Sequence, residues 1–155
     1  MPHMPVYKKI FSRINYPENI WPHNEYKNKI VFIPYGEGDE LQEVKNLLKN
    51  YDSIIIGDKK CRFKDENVVL NRVDYIENGY QSIIKIISEA RCVITPVSFW
   101  TTVCNLQQVP VFSWGEHIGQ HKPDGIYHFR NDKCWAVPET NKQITLRMIE
   151  KFLGD

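Results

Sequence analysis

Residues 90–115, ARCVITPVSFWTTVCNLQQVPVFSWG, decide the fold of this chain because they hold a strand, a short loop, a helix and a second strand in direct succession. Apolar residues 92–94 predict the first strand and residues 109–112 predict the second. Between them, Ser98 is a residue type that commonly caps a helix, and apolar residues follow it at helical spacing. A helix that connects two neighbouring apolar strands predicts that those strands are parallel.

The same alternation extends to both sides of this unit. Short apolar runs predict further strands within KIVFIPYG (residues 29–36) and at residues 53–56, 67–70 and 134–137. Apolar residues at helical spacing predict helices over residues 39–50, 80–90 and 140–153. Together these elements predict an α/β fold with a doubly wound, mostly parallel, Rossmann-like sheet and helices on both faces.

Each predicted helix has one apolar face that the sheet would cover. The faces comprise Val44, Leu47 and Leu48; Ile83, Ile84 and Ile87; Val103, Leu106 and the stem of Gln107; and Ile144, Met148, Phe152 and Leu153. Thr140 and Gln143 have the spacing of a capping box, which predicts that the last helix begins there.

Length and composition bound the class of protein. A chain of 155 residues suits one domain with one core, and we predict an arm over residues 1–28, which hold four of the nine prolines, before a domain over residues 29–155. The net charge of +1 gives no bulk signature for nucleic acid or for an anionic membrane.

Cysteine usage and hydropathy indicate a cytoplasmic protein. The four cysteines form no C-x-x-C pair, and Cys92 and Cys104 lie within apolar stretches, so we predict buried free thiols in a reducing compartment. No apolar run reaches the length of a membrane span, and the first residues lack the apolar segment of a signal peptide.

Ligands of doubly wound sheets bind at the carboxyl ends of the strands, so the loops at that edge hold the candidate binding residues. Within these loops we predict ligand contacts from Tyr35, Gly36, Gly38, Asp58, Asp74, Thr95, Ser98, Thr101, Thr102 and Gly115. A helix that begins at this edge presents partner-free amide groups and a positive dipole end, which suit phosphate or another anion. A cap without a ligand explains Ser98 equally well, and Gly36 and Gly38 also suit a plain tight turn.

Residues 115–124 follow the second strand of the opening unit and are predicted to close over the site as a lid. Glu116, His117 and His121 are its titratable candidates, with Glu116 and His117 as catalytic groups and His121 as a ligand-binding group. His117 and His121 are four residues apart, but nearby glycines and a proline argue against a regular helix and therefore against a metal site. The alternative is a solvated polar loop. No metal or cofactor is predicted.

The segment VSFWTTVCNLQQVP (residues 97–110) resembles the D-S-G-P-x-H-x-A-x-A-x-G-x-P pattern in the C-terminal domain of heptosyltransferase-like, GT-B type glycosyltransferases, with Ser98 and Pro110 matching outright. The resemblance extends over residues 29–155, where KIVFIPYG resembles that domain's first strand and phosphate loop. It implies a domain that binds a nucleotide-sugar donor, with the helix after Ser98 facing the phosphates and the following loop near the sugar.

The departures from that pattern include its most chemically active side chains. Val97 replaces the aspartate, Phe99 the glycine and Thr102 the histidine of the family. The family also holds its acceptor in an N-terminal half, for which 28 residues are too few, so a second copy, a separate acceptor-binding chain or a longer parent chain would have to supply it.

Three functions are therefore compatible with the sequence. The first is hexosyl or heptosyl transfer by a nucleotide-sugar-binding domain. The second is a non-catalytic sensor or adaptor that binds a nucleotide or a sugar phosphate. The third is a small nucleotide hydrolase or deoxyribosyltransferase.

Overall fold

The computed structural model describes residues 26–34, 39–57, 68–70, 81–138 and 141–154. Most of the predicted N-terminal arm lies outside the described residues. So do five of the predicted binding residues, namely Tyr35, Gly36, Gly38, Asp58 and Asp74. The site is therefore described from the part of the chain that follows residue 81.

Strands form where the sequence has short apolar runs rich in β-branched side chains, which favour extended backbone. In the described part of the chain these are β1 (Ile30–Phe32), β2 (Ser53–Ile56), β3 (Val68–Leu70), β4 (Cys92–Pro96), β5 (Val111–Trp114) and β6 (Cys134–Val137). The bounds of β2 and β6 are confirmed as predicted. β5 begins two residues later than predicted, because the Val109 amide still donates to the Cys104 carbonyl (3.0 Å) in the turn that ends the preceding helix.

Four α-helices alternate with these strands: α1 (Asp39–Leu48), α2 (Gln81–Glu89), α3 (Phe99–Gln107) and α4 (Lys142–Gly154). A 3₁₀ turn, Ile118–His121, follows β5. The C-cap of α3 is Gln108, which adopts the left-handed conformation (φ 61°) that commonly ends helices. The predicted helices all form, each within two residues of its expected ends.

The strands pair in the order β3-β2-β1-β4-β5-β6, and every neighbouring pair is parallel. This is the strand order of dinucleotide-binding Rossmann sheets. The predicted α/β, doubly wound, parallel fold is confirmed.

Alternate residues of each strand point to opposite faces of the sheet and build two cores. Val31, Val93 and Val111 pack on one face against α2 and α3, whereas Phe32 and Phe112 pack on the other face against α1 and α4. Two helices therefore cover each face, as the doubly wound arrangement requires.

In the predicted inner face of α4, Leu153 is confirmed as a core residue and Ile144 is wrong. Ile144 is exposed, and the buried positions are Thr145, Ile149 and Leu153, with Met148 and Phe152 partly buried beside them. The predicted cap is displaced by one residue, because the Asn141 side chain accepts hydrogen bonds from the amides of Gln143 (3.1 Å) and Ile144 (3.3 Å). The apolar pattern alone did not show that position 145 faces the core in place of position 144, since Thr145 is a buried polar residue.

The cysteines behave as predicted where they are described. Cys92 and Cys104 are buried free thiols, and Cys134 is a partly buried one. Burial raises the pKa of Cys92 and of Cys134 to about 11, and it raises the pKa of Cys104 well above its ordinary value. All three thiols therefore stay protonated at neutral pH, and a protonated thiol is a poor nucleophile. Among the described residues, no helix is long and apolar enough to cross a membrane.

Candidate functional site

The winding of the sheet reverses between β1 and β4, which are hydrogen-bonded neighbours. The chain leaves β1 toward α1 on one face and leaves β4 toward α3 on the other face. In open α/β sheets, ligands bind at the carboxyl ends of the strands where the winding reverses in this way. We call this position, with residues 95–98 on the β4 side, the switch-point site.

Thr95 lies inside the switch-point site and is fully buried. Its hydroxyl donates to the Ile33 carbonyl across the two strands (2.8 Å), with the Pro96 carbonyl oxygen at 3.0 Å. The buried Thr95 side chain therefore fixes the two strand ends relative to each other, and its predicted ligand contact stays a prediction.

Ser98 and Thr101 form a reciprocal cap at the beginning of α3. The Ser98 hydroxyl accepts from the Trp100 amide (3.2 Å), and the Thr101 hydroxyl accepts from the Ser98 amide (3.2 Å). Thr101 is fully buried and also shares a hydrogen bond with the Ser113 hydroxyl of β5 (2.9 Å). The capping interpretation of Ser98 is confirmed, and Thr101 supports the loop from behind.

This cap changes what the helix end offers to an anion. The amides of Ser98, Trp100 and Thr101 all have partners within the first turn, the last of them the Ser98 carbonyl (3.1 Å). An anion at this end would therefore meet side-chain hydroxyls and the helix dipole more than free amides. The partly exposed hydroxyls are those of Ser98 and Thr102, and a hydroxyl that accepts one bond still has a proton to donate.

At Gly115 the loop after β5 contacts Val97, the residue between β4 and the cap of α3. The Val97 amide donates to the Trp114 carbonyl (2.8 Å), and the Gly115 amide donates to the Val137 carbonyl (3.1 Å). Gly115 has a φ of 141°, and a Cβ there would lie 2.8 Å from Cγ1 of Val97. Only glycine fits this turn without strain, and Glu116 and His117 follow it directly in the chain.

Glu116 and His117, the predicted catalytic pair, both lie on the surface. Within the described ranges neither side chain has a hydrogen-bond partner that would orient it. Catalytic groups are normally held by packing or by hydrogen bonds. Both residues follow the Gly115 turn directly, and their surroundings do not define which of them acts as a base.

His121 is buried, in contrast to His117, so the two histidines do not share one surface. Residues 118–131 pack against α3 and β6 through Ile118, Phe129 and the fully buried Asn131. Through these buried residues this part of the segment is a packed layer of the domain, whereas Glu116 and His117 before it are exposed. The described residues also contain no cluster of three or more potential metal ligands.

Two buried asparagines, Asn105 and Asn131, connect residues 118–131 to α3 by hydrogen bonds. The side-chain amide nitrogen of Asn131 donates to the side-chain oxygen of Asn105 (2.9 Å) and lies 2.9 Å from the Val109 carbonyl oxygen. The side-chain amide nitrogen of Asn105 donates to the Tyr127 carbonyl (2.9 Å). Sequence reasoning missed both residues. The available signal was an asparagine at position 105 between the apolar residues of a helix, where it is unfavourable unless its side chain has partners.

Trp100 faces the core and not the site. It is 7% exposed and packs among Val31, Ile83 and other residues on one face of the sheet. The neighbouring Phe99 is 63% exposed and meets the Trp100 ring edge-on, with centroids 5.2 Å apart. Phe99 is therefore the exposed aromatic side chain beside Ser98.

His121 and His128 are buried neutral imidazoles. Burial lowers the pKa of His121, and the charge of nearby His128 lowers it further. Burial also lowers the pKa of His128, against an opposing effect from Asp132. Within the described residues, neither Nδ1 atom has a hydrogen-bond partner, so a proton added to either ring would be poorly compensated.

Acidification is therefore expected to destabilise the domain through these two histidines. Their unfolded-state pKa is about 6.5, so the unfolded chain binds more protons than the folded one at mildly acidic pH. The stabilisation is complete above about pH 6.5 and declines as the pH falls toward the lowered folded-state pKa values. Urea unfolding at pH 7.5 and pH 5.5 measures this difference.

The His121→Gln/His128→Gln double variant should lose less stability between these two pH values than the wild type loses. The matched control is His117→Gln, because His117 is exposed, and its pH dependence should equal that of the wild type. An unchanged pH dependence in the double variant would contradict the assignment.

Comparison of the whole chain with protein-family models, with curated proteins and with solved structures gives no match. The fold and the switch-point geometry thus carry the functional argument by themselves.

Proposed function

We propose that this domain binds a nucleotide-sugar at the switch-point site and serves as the donor-binding half of a GT-B type glycosyltransferase. One observation carries the proposal: at the carboxyl end of β4, beside β1, the capped start of α3 and the Gly115 turn meet through Val97. A helix start at the topological switch point of an α/β sheet is a usual setting for a phosphate group.

The roles of individual residues follow from their positions. The Ser98 hydroxyl, with its free proton, donates to a phosphate oxygen, and the partly exposed Thr102 hydroxyl lies one turn along the same helix. Glu116 and His117 cover the sugar side, where a carboxylate accepts from sugar hydroxyls and an imidazole donates to the diphosphate. The dipole of α3 stabilises charge on the departing nucleoside diphosphate.

Titration calorimetry with UDP-, GDP- and ADP-glucose tests the proposal through variants that separate capping from binding. Ser98→Asp retains a side chain that caps helices well but places a negative charge against the phosphates. We expect it to keep the wild-type stability and to weaken binding about tenfold or more, since a charge-assisted hydrogen bond contributes about 1.5–3 kcal/mol. Ser98→Thr retains both functions and should bind almost as the wild type does.

Ser88→Ala is the matched control for a Ser98→Ala variant. The Ser88 hydroxyl bonds only to the Lys85 carbonyl on the exposed side of α2 (2.7 Å), so this variant should leave binding unchanged. Wild-type affinity in Ser98→Asp, or no binding of any of the three sugars by the wild type, would exclude the proposal.

A second candidate is a non-catalytic adaptor with the same ligand. It is favoured by the free side chains of Glu116 and His117, which nothing in the described part of the chain orients, and by Val97 and Thr102 in place of the family's aspartate and histidine. Release of nucleoside diphosphate from the bound donor distinguishes the two candidates. Turnover would establish the enzyme if Glu116→Ala abolishes it and the control Glu150→Ala leaves it intact. Glu150 lies at an exposed position of α4.

A further inference from the structure

A cavity of about 320 Å³ opens at the amino ends of β4, β5 and β6, the edge of the sheet opposite to the switch-point site. Cys92 begins β4 at its floor, and Pro110 and Lys133 immediately precede β5 and β6. The four residues of β5 alone separate the two edges by about 13 Å. The cavity volume falls at the small end of the range typical of small-molecule sites, about 300–1,000 Å³.

One wall of the cavity is aromatic and rigid. Trp135 of β6 and Phe152 of α4 meet edge-to-face with ring centroids 5.4 Å apart, at an angle of 73°. Both rings also contact Phe112 beneath them, at 6.2 Å and 5.8 Å respectively. Because three elements hold these rings in place, the wall offers preformed aromatic faces on which an apolar ligand can pack.

The opening carries two cations. Arg91 and Lys133 each stand directly before a strand, as Lys29 does before β1. Lys29 is neutralised by Asp52 (2.6 Å), but no described carboxylate forms an ion pair with Arg91 or Lys133. Arg91 donates one hydrogen bond to the carbonyl of Leu153, another residue that lines the cavity (3.3 Å), and this bond leaves other N–H groups of the guanidinium to donate.

The pKa of Cys92, at the floor of the cavity, also reflects the positive charge of Arg91. Burial raises the pKa of Cys92 to about 11, and the positive charge of Arg91 acts in the opposite direction. The guanidinium therefore lies close enough to the floor of the cavity to influence a group buried there.

We infer that this cavity is a second binding site, which takes a small organic anion with a flat apolar body. The anionic group lies between Arg91 and Lys133, and the flat body packs on Trp135 and Phe152. Carboxylates and phosphate monoesters both have this chemistry, since a guanidinium binds either group through paired N–H donors. The inference is independent of the proposal for the switch-point site.

Calorimetry with naphthalene-2-carboxylate, 2-naphthyl phosphate and the neutral naphthalene-2-carboxamide tests this assignment. We expect at least one of the anions to bind and the carboxamide to bind about tenfold more weakly or not at all. The anion that binds more tightly identifies the head group.

Variants then locate the site. Arg91→Gln and Lys133→Gln should each weaken binding of the preferred anion about tenfold, as expected for the loss of a charge-assisted hydrogen bond. Lys29→Gln removes a cation from the same edge that is already paired, so affinity should remain within about twofold of the wild type. Ser98→Ala, at the opposite edge, should also leave this affinity unchanged.

Three results would overturn the inference: equal affinity for the carboxamide and the carboxylate, unchanged affinity in both the Arg91 and the Lys133 variants, or no binding of either anion at millimolar concentration. Circular dichroism and the unfolding midpoint of each variant distinguish loss of binding from loss of folding. Wild-type binding of nucleotide-sugars by the Arg91 and Lys133 variants would in addition separate this site from the switch-point site.

Discussion

Replacement of Asn131 by aspartate is expected to lower the free energy of unfolding by about 4 kcal/mol, a large part of the total for a domain of this size. Asn131 is fully buried, and its amide lies within hydrogen-bond distance of two oxygens, the Asn105 side chain and the Val109 carbonyl. An aspartate there removes the donor from both acceptors and places a carboxylate against them. Each orphaned buried group costs about 1–3 kcal/mol, and an unpaired buried charge costs more. Urea denaturation at pH 7.5 measures the change.

Asn46→Asp provides the matched control for this prediction. Asn46 is an exposed residue of α1 whose side-chain oxygen accepts from Gln42 (3.2 Å), so the same chemical change there should alter stability by less than about 0.5 kcal/mol. The milder Asn131→Ala variant, expected to lose about 2–3 kcal/mol, keeps the prediction measurable if the aspartate variant does not fold. A loss below 1 kcal/mol in both Asn131 variants would mean that the Asn105–Asn131 pair does not fasten residues 118–131.

The sheet could be predicted from the sequence because a strand that is buried on both faces appears as a run of adjacent apolar residues. The runs at residues 53–56 and 134–137 became strands at those bounds, and the strand–helix–strand unit of residues 90–115 formed as expected. A parallel sheet buried on both faces makes this signal strong, since its central strands are predominantly apolar.

The segment after β5 could not be predicted in the same way. Its packing depends on Asn105, Asn131 and two histidines, which are polar residues that become favourable inside the protein only when their partners meet in three dimensions. His121 illustrates the difficulty: the sequence suggested a ligand contact, whereas the structure buries its ring. The spacing of polar residues in a loop does not define which of them turn inward.

The switch-point site was predictable in part. Ser98 was identified from helix-capping preferences, which depend on neighbouring residues alone. The structural role of Thr95 and the contact between Gly115 and Val97 required the pairing of β4 with β1 and β5, which is non-local information. The cations at the opposite edge were missed because isolated basic residues before strands resemble ordinary surface residues.

Gly115→Ala is expected to lower the free energy of unfolding by about 3 kcal/mol and to weaken nucleotide-sugar binding about tenfold. A methyl group at this position meets two obstacles, a φ of 141° and the Val97 Cγ1 atom at 2.8 Å. The backbone strain alone costs about 1–3 kcal/mol for a residue other than glycine. Relief of the steric contact moves the Val97–Ser98 backbone away from β5, which displaces the hydroxyl that we propose contacts the phosphates. Urea denaturation and calorimetry measure the two effects separately.

A double-mutant cycle distinguishes the two obstacles. Val97→Ala in the Gly115→Ala background removes the clashing methyl group but leaves the backbone conformation strained, so binding should recover more than stability does. Gly119→Ala is the matched control, because a Cβ at Gly119 would have no heavy atom within 4 Å and its φ is not positive; it should change neither stability nor binding. If Gly115→Ala lost stability while keeping full affinity for the nucleotide-sugar, the Gly115 turn would stabilise the fold without shaping the ligand site. The donor would then have to bind away from the junction of β4 and α3.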